Sequence, residues 1–232
     1  MQDLTHGFLH AFNLILSRDP ALYEVIRFSL YVSGVALAYS TAIGIPLGAL
    51  LGLKTFPGRG LVMALLYTGM GFPPVVVGLF VYLLLSRSGP LGELGWLFTP
   101  KAIIAAQTII SFPLVAGFTM AAVLGVDPNL RQQLLSLGAT GRQATLAILA
   151  EARVGVVVSV IAGFGSVISE VGAVMLVGGN IEGKTRTLTT AVVLETRRDN
   201  FALAMALGVV LLLISFAINL AMVRLQGKGA GR

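Results

Sequence analysis

The chain has 232 residues, of which 56% are hydrophobic and only 11% charged, with a mean hydropathy of +0.90; an average soluble domain carries about 25% charged residues, so water is not the main solvent here. The formal net charge is +6, but Lys and Arg are scattered between apolar runs, which argues against a nucleic-acid surface and fits the flanks of membrane spans. Cysteine is absent, which excludes disulfides, thiolate metal sites and cysteine nucleophiles.

The first 20 residues have no basic stretch ahead of their apolar residues and no small-residue cleavage pattern, so they are read as mature chain and not as a removed signal peptide. Leu4 to Ser17 sets Leu4, Phe8, Phe12 and Ile15 near one side, the pattern of a helix lying in the interface and too short to cross. His6 and His10 share a face of it, but imidazoles suit an interfacial helix, so they are read as interfacial residues and no metal is expected.

Four charge-free runs reach the roughly 20 residues that a crossing helix needs: Phe28 to Leu53, Leu61 to Ser86, Ala102 to Val126 and Phe201 to Val223. A fifth, Val154 to Ser169, is shorter, and is followed by Glu170 and a second apolar piece, Val171 to Gly179. The expected fold is therefore all-α: one membrane domain over residues 1–232, with an N-terminal interfacial helix in 1–20, five transmembrane helices, and polar stretches at 127–153 and 180–200. An odd number of crossings puts the termini on opposite sides. Lys and Arg divide equally between the two sets of loops, so the positive-inside rule leaves the orientation open.

Several spans are interrupted. Gly71, Pro73 and Pro74 break the second and Pro113 the third; each internal proline removes a backbone donor and clashes with the preceding turn. In lipid the freed carbonyls need partners in a neighbouring helix or a wet cavity, so these breaks point to the bundle interior or a pathway. Ser169, Glu170 and Gly172 mark the break in the fifth span. A charge there costs about 2.5–3.5 kcal/mol on insertion scales, so Glu170 must face protein, water or a partner donor, and it is expected to line a passage, to bind a cation or protons, or to bond to backbone exposed by the break at Gly172. Gly44, Gly48 and Gly52 fall on one helical face, which suits close packing inside the bundle or against a second copy.

The polar stretch from Asp127 to Arg153 reads as two short helices meeting at a glycine. Asp127 before Pro128 is a helix start, Gly138 a stop and Thr140 the next cap. Leu130, Leu134, Leu135 and Leu137 make this knob apolar enough to sit in a groove of another protein. Here the chain resembles the permeases of ABC importers with the type I fold, whose signature loop carries Glu-Ala-Ala, a glycine and an isoleucine before Leu-Pro: Gly138 and Ile148 stand at the family spacing, while Gln132-Gln133-Leu134 and Ala150-Glu151 depart from it. The run from Ser169 to Leu188, with Ser-Glu-Val-Gly-Ala and Gly-Asn-Ile-Glu-Gly-Lys-Thr-Arg-Thr-Leu, is similar to molybdate and tungstate permeases, and the compact chain resembles the tungstate-specific branch most.

The resemblance implies a homodimer in a prokaryotic cell membrane, with two cytoplasmic ATPases, an extracytoplasmic binding protein, tungstate or molybdate as cargo and a cytoplasmic C-terminus. It makes Leu130, Gln132, Gln133, Leu134, Ser136, Leu137, Gly138, Ala139, Thr140 and Arg142 the ATPase-coupling surface. Pro73, Pro74, Pro113, Ser169, Glu170 and Gly172 become the path or gate. Asn180, Lys184 and Arg186, with Arg197 and Arg198, would stand outside to steer the anion or meet the binding protein. No cofactor and no enzyme activity are expected of the chain itself: Gly183-Lys184-Thr185 lacks the earlier glycine of a P-loop and follows no soluble strand. The rivals are a sulfate permease of the same type, a proton-coupled secondary transporter using Glu170, and a membrane enzyme, for which no acidic cluster is available.

Overall fold

The computed structural model describes residues 20–230, together with Phe12, Leu16 and Ser17 ahead of them. The interfacial helix expected over Leu4 to Ser17, with His6 and His10, lies almost wholly outside the described residues. These form ten α-helices and one short 3₁₀ turn: α1 Pro20–Leu53, α2 Arg59–Met70, α3 Pro74–Leu85, the 3₁₀ turn Gly92–Leu94, α4 Pro100–Leu124, α5 Pro128–Ser136, α6 Gly141–Glu151, α7 Arg153–Ile168, α8 Gly172–Gly178, α9 Leu188–Arg197 and α10 Phe201–Ala230. Three helices (α1, α4 and α10) are long and apolar enough to cross a membrane, and two bent pairs bring the number to five if each pair is one span.

The run Leu61 to Ser86, expected as one span, is a broken one. α2 and α3 meet at 101°. Pro73 and Pro74 together withhold two backbone donors, and Pro73 takes the extended conformation (φ −62°, ψ 121°) imposed on a residue before proline. Similarly, α6 and α7 join at 58°.

α4 is the axis of the bundle. Ala102, Ile103, Ala106, Gln107, Ile110, Ser111, Val115, Ala116, Thr119, Met120 and Val123 are all buried, because α1, α2, α3, α7 and α8 pack around it. The glycine face of α1 is spent here. A Cβ on Gly44 would stand 3.0 Å from Val115 Cγ1, one on Gly52 2.7 Å from Val123 Cβ, and one on Gly48 would overlap Ala116 O and stand 2.8 Å from Thr119 Cβ. These glycines therefore serve internal packing, at the backbone approach that small residues permit. Ser40 Oγ, bonded to Thr108 O (3.2 Å) and to Ser111 Oγ, pins the same pair of helices, and Thr119 meets Ser159 of α7 at 2.9 Å.

The polar stretch 180–200 is not an open loop. Thr187 and Thr190 form a reciprocal capping box, and Leu188 and Ala191 pack with Leu22, Leu207 and Val210, so α9 folds as a helix against α10. At 34 residues and about 1.5 Å per residue, α1 is about 50 Å long, against an apolar layer of about 30 Å. Its first turns thus gather at one end of the bundle with the 86–99 and 179–187 segments. The 53–59 turn and the α5–α6 knob lie at the other.

Candidate functional site

The helices that begin after the two interruptions pack on each other. α3 lies on α8 so closely that a Cβ on Gly78 would stand 2.6 Å from Ala173 Cα, and Val75 Cγ2 occupies the space where a Gly172 side chain would begin. Pro73 and Ser169 are exposed, Pro74 and Gly172 half-buried, and Pro113 is buried, with a Cβ on Gly69 placed 2.9 Å from its Cγ. Of the six residues expected at a path, Pro113 and Glu170 thus stand inside the bundle and the others at or near its surface. Val75, Leu79, Phe80 and Leu83 make an apolar and exposed face of α3, with Phe72 of the preceding turn exposed beside it.

Glu170 is 8% exposed. Its Oε1 accepts the Ala173 N–H at 2.8 Å, meeting one of the orphan donors at the start of α8. Its backbone carbonyl accepts the Thr189 hydroxyl at 2.9 Å, which ties α9 to the break. Gln107 completes the arrangement from α4: its Nε2 donates to Val167 O at 2.9 Å, satisfying a carbonyl at the end of α7, while its Oε1 is buried without a partner. Gln107 was missed in the sequence although it carried a signal, a lone amide in a charge-free span, where polar groups are costly and functional.

The knob is built as its capping residues dictate. Asp127 Oδ1 accepts the Asn129 N–H at 2.8 Å, Gly138 turns the chain at φ 87°, and Thr140 and Gln143 form a full capping box. Leu130 packs on the buried cluster of Val123, Ile148 and Ala152, anchoring the knob to the spans. Ile148 of the signature is thus an internal anchor. Leu134 and Ala139 are half-buried; Gln132, Gln133, Ser136, Gly138, Thr140 and Arg142 are exposed, and Leu137 stands 84% exposed at the apex.

At the opposite end, the turn after α8 is held by Thr185, whose Oγ1 donates to Gly178 O (2.6 Å) and accepts from Ile181 N (2.9 Å). Gly179, Asn180 and Gly183 take positive φ. Asn180 is half-buried in the turn, its Nδ2 donating to Thr190 O at 3.3 Å and its Oδ1 buried without a partner. Lys184 is exposed, and Arg186 pairs with Glu182 at 3.2 Å. Arg198 pairs with Glu195 at 3.3 Å, and Arg197 is exposed. Thr185 is fully buried with its hydroxyl spent inside the turn, so it is not placed as the threonine of a nucleotide-binding P-loop would be.

The family model described as "Binding-protein-dependent transport system inner membrane component" matches residues 44–228. The chain belongs to this family. It is 43% identical to a probable anion ABC transporter permease protein of Haloferax volcanii, over 91% of this chain and 93% of the relative. It is 41% identical to the tungstate uptake system permease protein TupB of Peptoclostridium acidaminophilum, over 97% and 99% of the two chains. With the molybdenum transport system permease protein ModB of Escherichia coli K12 it shares 30% identity over 92% and 98%. Among solved structures, the fold matches a chain of the MetNI methionine ABC transporter (TM-score 0.74, 20% identity, covering 91% of this chain and 98% of that one) and one of a bacterial alginate ABC transporter (TM-score 0.74, 21%, 96% and 85%). This ABC permease therefore has the type I importer fold anticipated from its knob.

Proposed function

We propose that this chain is the channel-forming subunit of an ATP-driven importer of tungstate, or of the related oxyanion molybdate. The observation that carries the reading is the packing of α3, which follows the proline break, on α8, which follows the Glu170 break, with Val75 over Gly172 and Gly78 on Ala173, beside the exposed apolar face of α3. Irregular backbone at membrane depth is tolerated where it is buried in protein or lines a cavity, and a second copy of the chain laid on that face would enclose one. Pro73, Pro74, Ser169 and Gly172 then border the path, and Pro113 and Glu170 support it from inside the bundle. The cargo is carried over from the tungstate and molybdenum permeases to which the chain is similar over almost its whole length.

The knob from Leu130 to Arg142 docks a cytoplasmic ATPase, Leu137 entering its groove, and Leu130 transmits movement to Val123 and Ile148. The ATPase dimer performs hydrolysis, and this chain does none. The C-terminus lies on the cytoplasmic side with the knob. Lys184 and Arg186, on the extracytoplasmic side, draw in the anion or meet the binding protein. Nucleotide and loaded binding protein bias the two openings of one switch. The test is reconstitution of this chain with its ATPase and binding protein in liposomes. ATP-dependent accumulation of tungstate or molybdate is expected, and accumulation of neither sinks the reading.

A further inference from the structure

Between the first turns of α1 and the 181–186 turn lies a cleft of about 550 Å³ walled by Glu24, Arg27, Glu182, Lys184 and Arg186, a volume in the range of ligand sites. Its charged rim is unequal, three cations against two carboxylates. Among the described residues Arg27 and Lys184 have no ion-pair partner. The Arg186 side chain is only 16% exposed, its single ion pair runs from Nη1 to Glu182, and its Nε is buried without an acceptor. A guanidinium presents five donors in a planar fork suited to oxyanions, so most of this one's capacity is unspent. Glu182 is 79% exposed; ion pairs held largely in water contribute little, so its carboxylate is easily displaced.

We propose that this cleft is a binding site for a tetrahedral oxyanion group, with Arg186 and Lys184 from the turn and Arg27 from α1 as its donors and Glu182 as a tethered stand-in that the ligand displaces. A dianion gains more from three cations than one carboxylate does, because its charge is doubled and its oxygens point in four directions. Glu24, on the opposite wall, limits the net charge and keeps the site exchangeable. The placement suits a waypoint: the turn is joined through α8, seven residues and about 10 Å long, to the Glu170 break. Two sources share this chemistry, the free cargo anion and the phosphate of an anionic lipid headgroup; Phe28 and Tyr31, further along α1 on the same cleft, would accommodate the latter's glycerol and upper chain.

The site deepens the oxyanion-importer reading and rests on it, but the two fail separately, since accumulation by the assembled transporter tests that reading and equilibrium binding to the full chain alone tests this one. The experiment is calorimetric titration of sodium tungstate into the full-length chain in phosphatidylcholine nanodiscs, repeated with phosphatidylglycerol added, with mass spectrometry of co-purified lipid. Tungstate is expected to bind, about tenfold or more weakly in Arg186→Ala and in Arg27→Ala with Lys184→Ala, and a few-fold more tightly in Glu182→Gln, whose amide no longer competes. Lower tungstate affinity with phosphatidylglycerol present places both sources in one site. Phosphatidylglycerol retained by the wild type and lost from the arginine variants, without tungstate binding, assigns the site to the headgroup. Binding that is unchanged in these variants overturns the proposal. So does capture of neither ligand, including the case in which the variants lose only the binding protein's docking.

Discussion

Val75 of α3 fills the space over Gly172 of α8 that any side chain at 172 would need. This contact locks the proline break to the Glu170 break, so the two interrupted spans are one mechanical unit. Gly172→Ala is expected to push α3 away and lower ATP-dependent tungstate uptake several-fold at unchanged membrane abundance, since overpacking typically costs about 1–3 kcal/mol. Val75→Ala in the same chain removes the clashing methyl groups and restores uptake. A double mutant no better than Gly172→Ala alone would break the link.

The α1–α4 seam offers a cleaner stability test. Gly48→Ala drives a methyl into Ala116 O and Thr119, where backbone has little room to yield, and about 1–3 kcal/mol is expected to be lost. Gly34, on the same helix, has nothing within 4 Å of a Cβ, so Gly34→Ala is expected to be neutral or slightly stabilising through helix propensity. Thermal unfolding of the two variants in detergent, read by intrinsic fluorescence, checks the contrast.

For the knob, Leu137 and Thr140 separate docking from folding. Leu137→Asp places a charge on an apex that is already 84% exposed, so the fold is unaffected while stimulation of the ATPase in the assembled transporter is expected to fall at least tenfold. Thr140→Ala removes the cap of α6 and costs about 1 kcal/mol, with a milder loss of coupling. Equal ATPase stimulation in Leu137→Asp and wild type would remove Leu137 from the docking surface.

What was legible in the sequence was what local chemistry decides. Charge-free runs mark spans because a charge in lipid is costly, and Asp127, Gly138 and Thr140 mark the knob because capping acts within four residues. The breaks at Pro73 and Glu170 were legible too. The 101° size of the bend at the prolines was not, and neither was the contact between the helices that follow the two breaks, since that depends on Val75 meeting Gly172 nearly a hundred residues away. α9 was hidden because Thr187, Leu188, Thr189 and Thr190 look like a polar loop; Thr187 in fact bonds to Thr189 (3.0 Å) and Thr190 (3.1 Å), and Ser29 Oγ accepts the Leu188 N–H at 2.8 Å, so the hydroxyls are satisfied within a packed helix. Arg27 escaped notice as a span flank, and only its position across the cleft from Arg186 gives it a role.

Glu170 decides between an importer and a proton-coupled carrier. Its Oε1 bonds to the Ala173 N–H, an acceptor role that needs an oxygen and not a charge. Glu170→Gln keeps that oxygen at the same reach, and the importer is expected to retain more than about half its uptake, since exchanging a charge-assisted bond for a neutral one weakens it without abolishing it. Glu170→Leu leaves the Ala173 N–H buried and unpaired, at about 1–3 kcal/mol, and lowers both thermal stability and uptake. A proton carrier behaves in the opposite way towards glutamine, which cannot titrate and would stop transport outright. Uptake and unfolding temperature measured on both variants separate the cases: activity in Glu170→Gln with loss in Glu170→Leu assigns the residue to the backbone of the break, whereas loss in both, with the glutamine variant as stable as wild type, would return it to proton transfer.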